Sequence, residues 1–187
     1  MKKYSLIIAS LFLLTSCSTG ELPQTLTPGS IPSCDQIDVT KNTTEKLEMP
    51  CLDGSSVVNF HSIKGPIIIN VWGSWCEGCR EEMPYFVDLY ATENFTSGKI
   101  KLLGIDVEER SLESGPNFIK THSMTWPHLL DIDDKSKFVF GIGVPVTWFL
   151  DENGDVIYKH IGAYQTKDAL YQHVEKYFKV KLLIIFI

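Results

Sequence analysis

The stretch Trp72-Gly73-Ser74-Trp75-Cys76-Glu77-Gly78-Cys79-Arg80 decides the fold. Before it stands Pro66-Ile67-Ile68-Ile69-Asn70-Val71, an apolar run rich in β-branched residues. A near-continuous run of this kind reads as a central strand covered on both faces. After it, Glu81 to Asn94 carries Met83, Phe86, Val87, Leu89 and Tyr90 as a helical stripe. Pro84, inside that stripe, predicts a kink about a turn beyond Cys79. Two cysteines spaced C-x-x-C therefore fall where a buried strand gives way to a helix. A helix N-terminus supplies unpaired N–H groups and a partial positive charge. Both favour a thiolate, the nucleophile of disulfide exchange. The spacing lets the second sulfur close a small ring and release a mixed disulfide.

Working outward, Leu47 to Leu52 and Ser56 to Phe60 flank Asp53-Gly54 and predict a small N-terminal β-hairpin. Downstream, Ile100 to Val107 reads as a second central strand and Glu108 to Ser114 as an acidic loop. Gly115-Pro116 opens a short helix through His122, Trp126 to Leu130 is extended, and Lys135 to Phe140 is a short helix ended by Gly141-Ile142-Gly143. Val146 to Leu150 and Val156 to His160 form a hairpin around Asp151-Glu152-Asn153-Gly154, and Asp168 to Phe178 closes as an amphipathic helix. This alternation predicts an α/β fold, a mixed central sheet with helices on both faces.

Composition narrows the function. The chain has 187 residues, 44% hydrophobic and 21% charged, which suits one domain plus extensions. A net charge of −6 and the lack of any basic cluster argue against a nucleic-acid partner. Lys2 and Lys3 precede an apolar run from Leu6 to Leu14, followed by Leu14-Thr15-Ser16-Cys17. This reads as a secretory signal, too short to span a bilayer. The last four residues resemble a bacterial lipobox, which implies cleavage before Cys17 and lipid on its thiol; an ordinary signal peptide or a retained anchor are the alternatives. Each puts the domain where disulfides persist. The expected organisation is a signal peptide at 1–16, lipidated Cys17 with a Ser/Thr/Pro/Gly tether over 17–33, and the domain over 34–187.

Of five cysteines, setting aside Cys17 and the C-x-x-C pair leaves Cys34 and Cys51. A structural disulfide between them is the simplest arithmetic. A four-cysteine metal site is the competing reading, though Cys34 and Cys51 lack paired-ligand spacing. Haem attachment would need His after the second cysteine, where Arg80 stands. Asp131, Asp133 and Asp134 lack calcium-loop spacing and read as a solvated loop and cap. The five histidines are scattered. No metal and no cofactor are expected. The tail Val180 to Ile187 is apolar but too short to span a membrane.

Asn70 through Pro84 resembles the active-site strand and helix of the TlpA/ResA/DsbE group of thioredoxin-like proteins. Gly143-Val144-Pro145-Val146-Thr147-Trp148-Phe149-Leu150-Asp151 to Gly154 resembles that group's proline loop and hairpin. The resemblance spans Leu47 to Phe178, and the paired Cys34 and Cys51 are similar to actinobacterial members. It implies that Cys76 is the exposed attacking thiol, Cys79 the resolving thiol, Pro145 a cis-proline facing them, and Val144 a backbone partner for extended substrate. Trp75 forms an apolar rim with Trp72, although core packing alone also explains Trp72. Glu82 matches an acid of ResA-type members and lies three residues beyond Cys79 on the same helical face; shielded from water, it would relay protons to the sulfurs. The alternative is a solvated glutamate like Glu81. Thioredoxin carries a buried acid on the preceding strand, where this chain has Asn70.

The implied activity is thiol–disulfide exchange with protein thiols and disulfides, apocytochrome c being the family-typical substrate, with a membrane thiol-redox donor or acceptor and a monomeric enzyme held to the membrane by lipid. Glu77, a carboxylate beside Cys76, tilts the direction towards a reductant. An oxidative folding factor, a thiol peroxidase and a non-catalytic binding lipoprotein are the alternatives. Peroxidases of this fold carry threonine three residues before the reactive cysteine, where this chain has Gly73.

Overall fold

A computed structural model describes residues 31–182. The expected signal segment, Cys17, most of the tether, and residues 183–187 of the apolar tail lie outside the described residues. In chain order the elements are β1 (Glu48–Pro50), β2 (Val57–Asn59), β3 (Ile67–Trp72), α1 (Glu77–Tyr90), α2 (Glu93–Thr96), β4 (Lys101–Val107), α3 (Ser114–Thr121), β5 (His128–Asp131), α4 (Lys137–Phe140), β6 (Val146–Leu150), β7 (Val156–Ile161) and α5 (Lys167–Phe178).

Every residue of β3 is buried, as its unbroken apolar run requires. It lies in the middle of a five-stranded sheet ordered β5-β4-β3-β6-β7. β3 pairs in parallel with β4, and β4 with β5; β6 runs antiparallel to β3 and β7 antiparallel to β6. The hairpin β1–β2 forms its own small sheet and is fastened to the edge strand β5: Leu52 N donates to His128 O at 2.8 Å, and Cys51 bridges Leu129.

Helices do cover both faces, but unequally. Met83, Phe86 and Leu89 of α1, Phe118 and Ile119 of α3, and Leu170 and Val174 of α5 share one core with Ile68, Trp72, Leu102 and Phe149. The opposite face, Ile67, Ile69, Leu103, Ile105 and Trp148, is covered by Cys34, Ile37, Met49, Phe60 and Ile63 of the N-terminal segment, with Phe140 of the short α4. Topology explains the asymmetry. From β3 to β4 to β5 the chain steps in one direction across the sheet, so two right-handed crossovers leave α1 and α3 on the same side.

The helix after β3 begins a turn earlier than its apolar stripe. Its first turn, Glu77-Gly78-Cys79-Arg80, lacks that stripe but is capped by Cys76. The end of the expected pattern is a separate short helix, α2. Pro84 sits inside α1, whose residues are helical on both sides of it.

Candidate active site

β3 ends at Trp72, and the chain turns through Gly73-Ser74-Trp75, closed by Cys76 N donating to Gly73 O at 3.1 Å. Cys76 is the N-cap of α1, its Sγ accepting a hydrogen bond from Cys79 N at 3.1 Å. Cys76 and Cys79 are joined as a disulfide. Cys76 keeps 5% of its surface and Cys79 none, so the first sulfur is the more reachable but far from open.

The turn is clamped from both sides. The Glu109 carboxylate accepts from Ser74 N and from Ser74 Oγ (2.6 Å for the hydroxyl), while Arg80 Nε donates to Ser74 O at 3.0 Å. Trp75, partly exposed, donates its indole N–H to Val107 O at 3.3 Å. Trp72 is wholly buried and stacks on Phe118 with centroids 4.9 Å apart, so of the two tryptophans only Trp75 forms a rim.

The Val144–Pro145 peptide is cis. Pro145 is buried and Val144 half-buried. A Cβ placed on Gly78, between the two cysteines, would meet Ala163 Cβ at 3.2 Å and Pro145 Cδ at 3.6 Å. The proline loop and the segment after β7 thus abut the C-x-x-C turn, and Gly162 N donating to Pro145 O at 3.0 Å ties these two together.

Glu82 is wholly buried, one turn beyond Cys79. Its Oε1 accepts from Asn70 Nδ2 and its Oε2 from Tyr164 N, each at 2.9 Å. Burial outweighs these two donors and raises its pKa to about 7. Asn70, at the position where thioredoxin carries its acid, acts here as a donor to the glutamate.

Cys34 and Cys51 form the second disulfide, on the opposite face of the sheet and beside β5. Cys34 Sγ lies 3.7 Å from the carbonyl oxygen of His128.

Several residues escape the sequence reading. Glu109, which holds the turn, reads there as one acid in an acidic loop; its place just past the carboxyl end of a central strand is the available signal. Asp106, on β4 beside Trp72, is wholly buried, and neither carboxyl oxygen has a hydrogen-bond partner among the described residues. Burial first, then the charge of Glu109 and the close approach of its carboxyl, push its pKa well above the usual carboxylate range. His128 is fully buried, its ring nitrogens unpartnered among the described residues, and burial lowers its pKa to about 3. Asp131, read with its neighbours as a solvated loop and cap, does cap the turn into α4, accepting from Lys135 N at 3.0 Å and Ser136 N at 2.8 Å, but it is buried.

A family model described as AhpC/TSA matches residues 40–159. The chain belongs to the AhpC/TSA family. Within that thioredoxin-fold family it is similar to a thiol-disulfide oxidoreductase ResA of Bacillus cereus, 28% identical over 178 residues, which span 94% of this chain and 98% of that protein. The ResA of Geobacillus thermodenitrificans is 33% identical over 110 residues, 58% of this chain and 61% of that one. Among solved structures, a secreted Mycobacterium tuberculosis disulfide oxidoreductase homologous to E. coli DsbE shares the fold, with a TM-score of 0.60 and 18% identity over 70% of this chain and 96% of that chain. The chain is a thiol–disulfide oxidoreductase similar to ResA.

Proposed function

We propose that the protein is a lipid-anchored, extracytoplasmic thiol–disulfide oxidoreductase that reduces disulfides in other proteins. The observation that carries the exchange chemistry is the seat of Cys76: its sulfur caps a helix and accepts a backbone N–H, where a thiolate is stabilised.

In the reduced enzyme, the Cys76 thiolate attacks a substrate disulfide. An S–S bond forms between Cys76 and substrate, the substrate bond breaks, and one substrate thiolate leaves. Cys79 then gives up its proton to the buried Glu82 carboxylate and attacks Cys76 Sγ, closing the enzyme disulfide and expelling the second substrate thiolate. Each of the two substrate thiolates takes up a proton, one of them from Glu82. Two electrons have passed to the substrate, and a membrane dithiol donor restores the enzyme. Val144 and Pro145 present backbone to an extended substrate, and Trp75 covers its apolar part. Glu77 offsets part of the helix's stabilisation of the thiolate, which makes the disulfide a weaker oxidant and supports the reducing direction.

Location rests on the sequence. Residues 1–16 serve as the signal peptide, Cys17 carries the lipid, and the tether to 33 holds the monomeric domain above the membrane, where protein thiols such as those of apocytochrome c are the substrate class. Among the described residues no helix is long and apolar enough to cross a membrane. The peroxidase reading meets a steric obstacle: a Cβ at Gly73 would fall 2.6 Å from Trp75 Nε1, so threonine there would displace the indole.

The test is a Cys79→Ser variant expressed in cells with its leader intact. It should accumulate mixed disulfides through Cys76 in the membrane fraction, on the extracytoplasmic side, and the attached proteins name the substrates. Absence of such adducts, together with disulfide reductase activity retained by Cys76→Ser, would refute the proposal.

A further inference from the structure

The carboxyl ends of β4 and β5 open onto a cleft of about 450 Å³ beside the Cys76 turn. Five carboxylates line it: Asp106, Glu108, Glu109, Asp131 and Asp134. Against them stand Arg110 in the lining and Lys137, which is shared between Glu108 (2.9 Å) and Asp134 (3.1 Å). Glu109 is spent on Ser74 and Asp131 on the turn into α4. Asp106 is different. It is wholly buried at the floor, in register with the last residue of β3, and its oxygens meet another carboxyl, that of Glu109, but accept from no N–H or hydroxyl among the described residues. Gly115 of α3 is packed against it so closely that a Cβ there would fall on Oδ2. A buried carboxyl without a donor is costly, and a donor entering from the cleft would relieve that cost.

The surroundings say what kind of donor. Among the described residues no three His, Cys, Asp or Glu side chains are grouped to hold a metal ion. A cleft lined by five carboxylates suits an ammonium or guanidinium with several N–H groups. Two apolar side chains, Leu112 and Ile132, line the cleft and are exposed. Through Glu109 the cleft is bonded to the residue two before Cys76.

We propose that this cleft receives a cationic segment of the substrate polypeptide, a Lys or Arg near the exchanging cysteine reaching towards Asp106 while its apolar neighbours cover Leu112 and Ile132. The inference rests on the exchange chemistry proposed above and adds a substrate class to it.

The experiment uses two synthetic disulfide peptides, identical except for a Lys-Arg or a Glu-Glu flank, together with neutral 2-hydroxyethyl disulfide. At low salt the full-length reduced enzyme should show a kcat/KM at least about tenfold higher for the cationic peptide, and the preference should shrink in high salt. In Asp106→Asn, and separately in the rim variant Glu108→Gln/Asp134→Asn, the ratio between the peptides should fall towards one. The ratio is the readout, so a general loss of activity cancels, and the rim variant keeps the test alive if Asp106→Asn does not fold. Equal rates in the unaltered enzyme, or a preference that survives both variants, would overturn the inference while leaving the exchange chemistry standing. No exchange with any of the three disulfides would refute the underlying chemistry instead.

Discussion

The molecule carries the same covalent bond in two settings. Cys34–Cys51 joins residues separated by 17 in sequence, and Cys76–Cys79 residues separated by 3. Loop-closure entropy assigns them about 3 and about 2 kcal/mol of stabilisation. A gap of about 1 kcal/mol does not make one bond permanent and the other exchangeable. The sulfurs' neighbours differ far more. Cys76 Sγ faces a backbone N–H at the positive end of a helix, whereas Cys34 Sγ faces a carbonyl oxygen. A donor stabilises the thiolate that reduction would release, and an acceptor destabilises it. The lesson is that backbone direction around the sulfur, more than the loop it closes, separates the two bonds.

The largest expected effect comes from removing the sulfur proposed to attack. Cys76→Ser should lower disulfide reductase activity on the order of a thousandfold or more, measured with a protein disulfide substrate. Cys34→Ala/Cys51→Ala should leave that activity within a few-fold. If the double variant lost activity to the same degree, the division of labour would fail.

Two buried titratable groups carry opposite pH signatures. His128, whose imidazole packs against Trp72 and Trp126, has a folded pKa of about 3 against about 6.5 when unfolded. The unfolded chain therefore takes up the proton first. Its contribution is complete above pH 6.5 and is lost as pH falls towards 3, at about 1.4 kcal/mol per pH unit and on the order of 5 kcal/mol in all. Denaturant titrations across this range should show that slope in the wild type and a shallower one in His128→Leu.

Glu82, beside Cys79, has the reverse sign. Its folded pKa of about 7 exceeds the unfolded value near 4.5, so the folded chain holds the proton longer. Its contribution is complete below pH 4.5 and is lost as pH rises through 7, on the order of 3 kcal/mol. Glu82→Gln should remove this loss. It should also abolish the rise in resolution rate near pH 7, followed by stopped-flow, that a proton acceptor at this position produces. A variant with unchanged rate profile but altered stability would leave Glu82 with a structural part only.

The structural bond should show a thermodynamic effect alone. Cys34→Ala/Cys51→Ala should lose about 3 kcal/mol, roughly 10 °C in Tm for a domain of this size. Calorimetry showing no change would mean that the hairpin is held to β5 by its hydrogen bonds alone.

Local patterns make the strand, the turn and the cysteine pairs legible, because strand–turn–helix and C-x-x-C are written within a few residues of each other. The unequal sharing of the faces is not legible, since it follows from the order β5-β4-β3 and the hand of both crossovers. Nor can the sequence place Asp106 beside Trp72, or Glu109 on Ser74, because strand register brings together residues more than thirty positions apart. His128 reads as one more scattered histidine until the edge strand buries it. Asn70 stands out as a departure, yet its role as a donor to Glu82 emerges only from the packing of α1 on β3.

The most direct measurement is to equilibrate the folded protein in thiol buffers of graded reducing strength, alkylate, and count the modified cysteines site by site by mass spectrometry. Cys76 and Cys79 should open together at a mild poise while Cys34 and Cys51 remain closed until much stronger reduction. Opening of Cys34–Cys51 first, or of both pairs at the same poise, would contradict the claim that the helix cap makes one bond exchangeable.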